Sequence, residues 1–379
     1  MLSSKMVQKR HGSAFSFSRS RAALGFMSIL SLFLILRFPT LAIEYMERGM
    51  KLCVTTVIPS LFPFMVASEL IVMSGAAEAI GAILKRPARL LFGISGEGCS
   101  AFLLGMVCGF PMGTRAAISL YREGRISHGE LERLVCFSNN PSSAFVISAV
   151  GTALFGCREF GVVLYIVTII SSVAVGVLQK VMFGAEDRGY FACVIDEKRE
   201  VKRGIESFSL AVSSSASAML SICAFVVFFS TFTGTLGVLI SSFDISRVAR
   251  ALFFSFFELT GGVAEAAAIE PLSLALCVAA FSVGWSGLSV HFQMIGICDG
   301  TSVSLGRYFA SKVLVGVINA VLIWGYFKLF GSGIEFDVKS VSAFGWLGDS
   351  ESLLCIFVSA FFFASLLLTF FARVKKRIM

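Results

Sequence analysis

From Ser207 to Phe243 the chain has no Asp, Glu, Lys or Arg, and Pro271–Cys298 has none either. Apolar runs of this length belong in lipid, because about 20 predominantly apolar helical residues span a hydrocarbon core of roughly 30 Å. Composition agrees: 56% of the 379 residues are hydrophobic and 15% charged, against about 25% charged in soluble domains. The expectation is an all-α polytopic transmembrane helical bundle of about 8–10 membrane segments, with the lipid bilayer as its first partner.

The net charge of +8 does not point to nucleic acid. The basic residues gather in the first 21 positions, in short loops and at Arg373, Lys375, Lys376 and Arg377, the distribution that orients membrane spans. The ten cysteines are scattered without a CxxC, and the chain has three histidines. They read as small hydrophobes packed between helices, so no metal and no cofactor is expected.

Candidate spans are 22–38, 52–73, 98–121, 134–156, 160–182, 207–233, 251–270, 272–295, 308–330 and 353–372. The first follows Lys5, Lys9, Arg10, Arg19 and Arg21. It reads as an uncleaved span with Arg37 snorkelling, since Thr40-Leu41-Ala42 is a poor cleavage site; a signal peptide is the alternative. The 207–243 run is too long for one crossing at about 1.5 Å per residue, and Gly234 and Gly237 are expected to break it. Residues 78–92, with Lys85, Arg86 and Arg89, read as a helix lying in the interface.

The organisation expected is a basic cytoplasmic arm (1–21), a first span and connector (22–51), and a first membrane half (52–183). A charged cytoplasmic loop (184–206), a second membrane half (207–330), an external loop (331–352) and a last span with a basic tail (353–379) follow. Lys/Arg bias puts both termini in the cytoplasm. Three candidate segments then lie between two cytoplasmic stretches, 85–89 and 184–206, so one must fail to cross: 98–121 or 134–156. The second half needs one too, among 207–243, 251–270 and 272–295. Residues 105–127 and 280–304 match weakly, suggesting a duplicated architecture with its site at the repeat interface; parallel and inverted copies both remain open.

Interruptions matter because non-helical backbone survives at membrane depth only when buried in protein or lining a wet cavity. In GFPMGTR, Gly109, Pro111 and Gly113 shape a break, Thr114 returns a hydroxyl, and Arg115 supplies a cation that would set ligand charge preference. In SNNPSS, Asn139 and Asn140 beside Pro141 each offer a donor and an acceptor. Glu258 and Thr260 precede a Gly-Gly pair, and a carboxylate inside a span is a candidate ion ligand or proton relay. Gly284 and Gly287 flank a further break, followed by His291 and Gln293 in an uncharged run. No Walker loop, HExxH, GxSxG or paired-carboxylate pattern is present, so an enzyme is not expected.

These strings carry a resemblance. IPSLFPFMVASELI (58–71), GMVCGFPMGTRAAISLYREGRIS (105–127), ERLVCFSNNPSSAFVISAVG (132–151), FELTGG and FSVGWSGLSVHFQ resemble, in the same order, the YlbJ-like sporulation integral membrane proteins. That family falls within a wider group carrying the nucleoside-recognition Gate domain. Trp285-Ser286 stands where the second glycine of a Gly-Gly pair is expected. The resemblance implies a bacterial plasma-membrane protein that binds or transports a small polar solute, nucleoside-like or an ion, between two broken elements. The alternative is a non-transporting scaffold in spore or envelope assembly. A homo-oligomer is left open.

Overall fold

The structure, a computed structural model, describes residues 13–74, 76–183, 204–241 and 243–330; the expected external loop and last span lie outside them. Among the described residues all regular structure is helical. Helix α1 (Ser13–Arg37) is followed by α2 (Pro39–Leu52), bent from it by 109°. A π-helical segment, Cys53–Val57, joins α2 to α3 (Ile58–Met73). Helix α4 (Ala76–Phe92) exposes Lys85, Arg86 and Arg89 and buries Ala88 and Phe92. It lies at 88° to α5 (Gly96–Cys108), as an interfacial helix should.

Helices α5 and α6 (Met112–Arg122) are the arms of one hairpin: Gly105 and Gly113 face each other so closely that a Cβ on Gly105 would stand 3.0 Å from the Gly113 Cα. Helix α7 (His128–Ser138) is interrupted at Asn139–Pro141 and continues into a π-helical segment, Phe145–Leu154. Then comes α8 (Arg158–Phe183), long and apolar enough to cross a membrane. Serines start these helices: Ser95 accepts from the Gly98 N–H and Ser127 from the Glu130 N–H.

The order repeats after α9 (Gly204–Ser241). Helices α10 (Arg247–Phe257) and α11 (Leu259–Ala266) form a second hairpin, with Gly262 seated against Ser255. Helices α12 (Leu272–Trp285) and α13 (Gly287–Ile297) form a span interrupted at Ser286. Helix α14 (Leu305–Phe330) crosses without a break.

Two apolar clusters show that the copies are inverted. One gathers α4, the first hairpin, α7 and the ends of other helices (Val175, Met294, Tyr308, Val315). The other gathers the 145–154 segment, the second hairpin, α12, Phe160–Val167 and Ile323. The first broken span and α12–α13 therefore run between the clusters in opposite senses, as do α8 and α14. Polar contacts agree: Gln179 reaches Ser311, while Thr168, nearer the start of α8, reaches Asn319, nearer the end of α14. Ala88 of α4 and the C-terminal part of α8 share the first cluster, so 85–89 and the end of α8 at residue 183 lie at the same end of the bundle.

Two expectations change and one open choice is resolved. Gly234 and Gly237 do not break the long run: α9 is one helix of 38 residues. Gly234 admits the Tyr45 ring and Gly237 the Phe254 ring, so both glycines serve close approach. The segments that turn back are 98–121 and 251–270. The sequence match of 105–127 with 280–304 is off by one element, because the counterpart of the first hairpin is α10–α11. Helix α9 runs antiparallel to α2–α3, with Tyr45 beside Gly234, Gly49 beside Val227, Cys53 on Cys223 and Glu69 on Ser214.

Small residues at such crossings let backbones touch where lipid gives no hydrophobic drive to associate. A Cβ at Gly113 would collide with the Ser138 carbonyl oxygen, a backbone atom that cannot swing away. Gly113→Ala should therefore destabilise by about 2 kcal/mol, read as a lowered melting temperature in detergent. Gly325→Ala, with nothing within 4 Å of the added carbon, should leave it unchanged.

Candidate functional site

Each hairpin tip rests on the interruption of the broken span that follows it. The first hairpin turns at Gly109, with φ 80°, a backbone conformation open to glycine. A Cβ there would come within 2.6 Å of the Ser142 nitrogen. Pro111 is buried at the start of α6 and Thr114 is fully buried, its hydroxyl without a hydrogen-bond partner. In the second copy the left-handed residues sit on the broken span: Ser286 (φ 78°) and Gly287 (φ 80°). Gly287 lies where a Cβ would be 3.1 Å from the Glu258 Cα. Gly284 packs on Gly316 of α14, and Trp285 Nε1 donates to the Phe256 carbonyl at 3.2 Å.

At Asn139 the two copies meet. Helix α7 ends at Ser138, and Asn139 leaves the helical conformation at φ −92°, ψ 85°. Its Nδ2 donates to the Tyr308 hydroxyl at 2.8 Å, and His291 Nδ1 lies 2.9 Å from the same oxygen. Both contacts form when the Tyr308 hydroxyl accepts from Asn139 Nδ2 and donates to His291 Nδ1, the tautomer that carries the imidazole proton on Nε2. Among the described residues that nitrogen and Asn139 Oδ1 have no hydrogen-bond partner. The His291 ring is flanked by Trp285 at 4.4 Å and Phe309 at 4.9 Å between centroids. Lys312 Nζ donates to the Asn139 carbonyl at 2.8 Å and stands 5.9 Å from the centre of the Phe110 ring.

Other candidates play different parts. Asn140 is used up locally, donating to the Phe137 carbonyl at 2.6 Å and accepting from Ser172 at 2.9 Å; Pro141 is buried beside it. Arg115, expected to face a ligand, instead donates to Ser214 on α9 at 3.1 Å, and Ser214 donates to Glu69 at 3.4 Å. It ties the first hairpin to the long helices. Glu258, expected as an ion ligand or relay, caps α11: its oxygens accept from the Thr260 and Gly261 N–H groups at 2.9 and 2.6 Å. A carboxylate at a helix N-terminus meets orphan N–H groups and the positive end of the dipole. Thr260 is half-buried and Gln293 is buried on α13.

Tyr308, Lys312 and Asn319 of α14 were not singled out from the sequence. Asn319 Nδ2 donates to the Ala280 carbonyl at 3.2 Å, and its Oδ1 has no partner. The rule that made Glu258 a candidate, an ionisable residue inside an apolar run, applies equally to Lys312. Near one end of α14, Arg307 pairs with Glu132, which also accepts from the Ser304 N–H at 2.9 Å. Among the described residues no group of three or more His, Cys, Asp or Glu is placed to hold a metal ion.

No family model matches the chain, and no solved structure matches it. Among curated proteins it is 26% identical over 382 aligned residues to the sporulation integral membrane protein YlbJ of Bacillus subtilis. The alignment covers 87% of this chain and 92% of that protein, so the likeness extends well beyond the motif strings. With four membrane-length helices and two bent helix pairs of the same apolar character, the chain is a multi-pass, all-α membrane protein, similar over most of its length to that sporulation integral membrane protein.

Proposed function

We propose that this protein binds a small polar solute in the layer where its inverted copies meet, and carries it across the membrane. The observation behind this reading is the set of buried polar atoms left open there. Asn139 and His291 share the Tyr308 hydroxyl through Nδ2 and Nδ1, which leaves Asn139 Oδ1 and His291 Nε2 open, and Ser138 Oγ lies on the residue before Asn139. A buried polar atom without a partner costs about 1–3 kcal/mol, and two from separate repeats make a ready-made pair for a ligand. An acceptor and an N–H donor beside the Trp285 and Phe309 rings suit a flat polar heterocycle, which agrees with the nucleoside-like solute that the Gate resemblance implies. Inverted repeats with discontinuous helices at mid-depth are an architecture of secondary transporters.

The relative is named for sporulation and not for a solute, which favours, as a second reading, a membrane scaffold in spore formation. Solute-dependent thermal stabilisation separates the two. Purified protein should melt higher with one class among nucleosides, amino acids and cations. Asn139→Ala or His291→Ala should weaken that response at least about tenfold in concentration. A scaffold would show no solute response in any protein.

Glu258→Gln loses the charge that faces the α11 N-terminus. It should cost about 1 kcal/mol of stability, the usual size of an N-cap, and lower uptake only as far as it lowers abundance. An uptake defect at normal abundance would restore the relay role.

The end of the bundle with Lys85, Arg86 and Arg89 is assigned to the cytoplasm by its basic residues, in the bacterial plasma membrane that the resemblance implies. In a cysteine-free background, Asp244→Cys should react with an impermeant maleimide on intact cells. Lys85→Cys should react only after the membrane is opened; the reverse pattern inverts the assignment. Both side chains are exposed.

A further inference from the structure

We propose that Lys312 is a tethered cation: its ammonium occupies the broken end of α7 in the way a free Na+ or K+ would, so that this interruption needs no ion from solution. The last carbonyls of a helix have no intrahelical partner and carry the negative end of its dipole. In secondary transporters, unwound carbonyls and half-helix C-terminal ends are where coupling cations bind. Here α7 ends at Ser138, and two side chains cover its end. Asn140 takes the Phe137 carbonyl, and Lys312, 1% exposed, takes that of Asn139 at 2.8 Å.

Nothing anionic among the described residues competes for this ammonium. The nearby carboxylates of α7 are engaged elsewhere, Glu132 with Arg307 and Ser304 and Glu130 with the backbone and hydroxyl of Ser95. A charge buried in an apolar span is expensive unless compensated; the compensation here is carbonyl oxygen, helix dipole and the Phe110 ring. Among the described residues Asn139 Oδ1 and Ser138 Oγ have no partner. Shortening Lys312 therefore leaves three oxygens on two consecutive residues, the Asn139 carbonyl among them, beside a space of side-chain size. That is an oxygen-rich setting of the kind a hard cation takes. This inference concerns the break alone and holds whether or not the protein moves a solute.

The test is thermal melting of purified protein, without solute, in choline, sodium, potassium and methylammonium chloride at equal ionic strength. The unsubstituted protein should melt at one temperature in all four salts. Lys312→Ala should melt lower by about 5 °C or more in choline, and sodium, potassium or methylammonium should restore at least about half of the loss. Lys312→Gln keeps a hydrogen-bond donor and most of the bulk but not the charge, and should show the same cation-dependent recovery. If Lys312→Ala does not accumulate, Lys312→Gln alone decides. A Lys312→Gln protein that melts like the parent in every salt, or that loses stability with no recovery by any cation, would overturn the proposal. So would a parent protein itself stabilised by sodium over choline. A cation response of the unsubstituted protein would thus support solute binding while overturning this inference, and the response to nucleosides or amino acids is measured separately and bears on solute binding alone.

Discussion

Helix interruption inside a membrane frees backbone groups that lipid cannot satisfy, and the rest of this structure is arranged around meeting that demand. The two buried ionisable side chains at the interruptions, Glu258 and Lys312, do not pair with each other. Glu258 sits on the N-terminal N–H groups of α11, and Lys312 on the carbonyl at the C-terminal end of α7. Each side chain, in its charged form, meets the helix end of opposite sign. In one stroke this supplies partners for freed backbone and a reason for two ionisable side chains to be buried. The glycines at 109 and 287 do the remaining work, letting each hairpin tip and its neighbouring break come within backbone contact.

Inversion explains why those two solutions differ. In the first copy the glycine with φ 80° is on the hairpin and the polar side chains are on the broken span. In the second copy the glycine is on the broken span and the capping carboxylate is on the hairpin. The copies share a topology but have exchanged chemical roles, so their sequences no longer align element by element. That is why the match of 105–127 with 280–304 lands one element away from the structural correspondence: both strings pair glycines with a polar tail, but one belongs to a hairpin and the other to a crossing span.

Much of the architecture was legible in the chain. Charge-free runs imply spans, and Lys/Arg clusters at 85–89 and after 183 imply a common side; the parity of the segments between them demands a non-crossing element. Those are composition and counting arguments, and lipid makes them strict. What did not carry over is the difference between a glycine that breaks a helix and one that admits a neighbour. Gly109 and Gly234 look alike in sequence, but only the partner decides, Ser142 for one and the Tyr45 ring for the other. The candidate site was half visible for a similar reason. Asn139 and His291 stood beside breaks and drew attention, whereas Tyr308 and Lys312 sit in α14, which is unbroken. Their importance lies in reaching across to another helix's interruption, and no local pattern records that.

The kinds of contact also divide the molecule into parts that can move and parts that cannot. Between the copies run hydrogen bonds from buried groups, Asn139 to Tyr308 to His291 and Gln179 to Ser311; parting the copies would strand each of them at a cost of about 1–3 kcal/mol per group. Against the long helices the surface is of another kind. Cys53, Val57, Met65, Met219 and Ile222 meet Leu104, Cys108 and Met112 of the first hairpin, and Phe232 meets Phe257 of the second at 5.5 Å between rings. Unbranched methionine and flat rings repack easily, and an apolar face sliding in a membrane orphans no hydrogen bond. The polar link from Arg115 through Ser214 to Glu69 is the exception on that face, and its donors and acceptors are half-buried side chains with room to change partners. Displacement of the paired repeats against α2, α3 and α9 would therefore orphan fewer hydrogen bonds than parting the copies, and would leave the Asn139–Tyr308–His291 contacts in place.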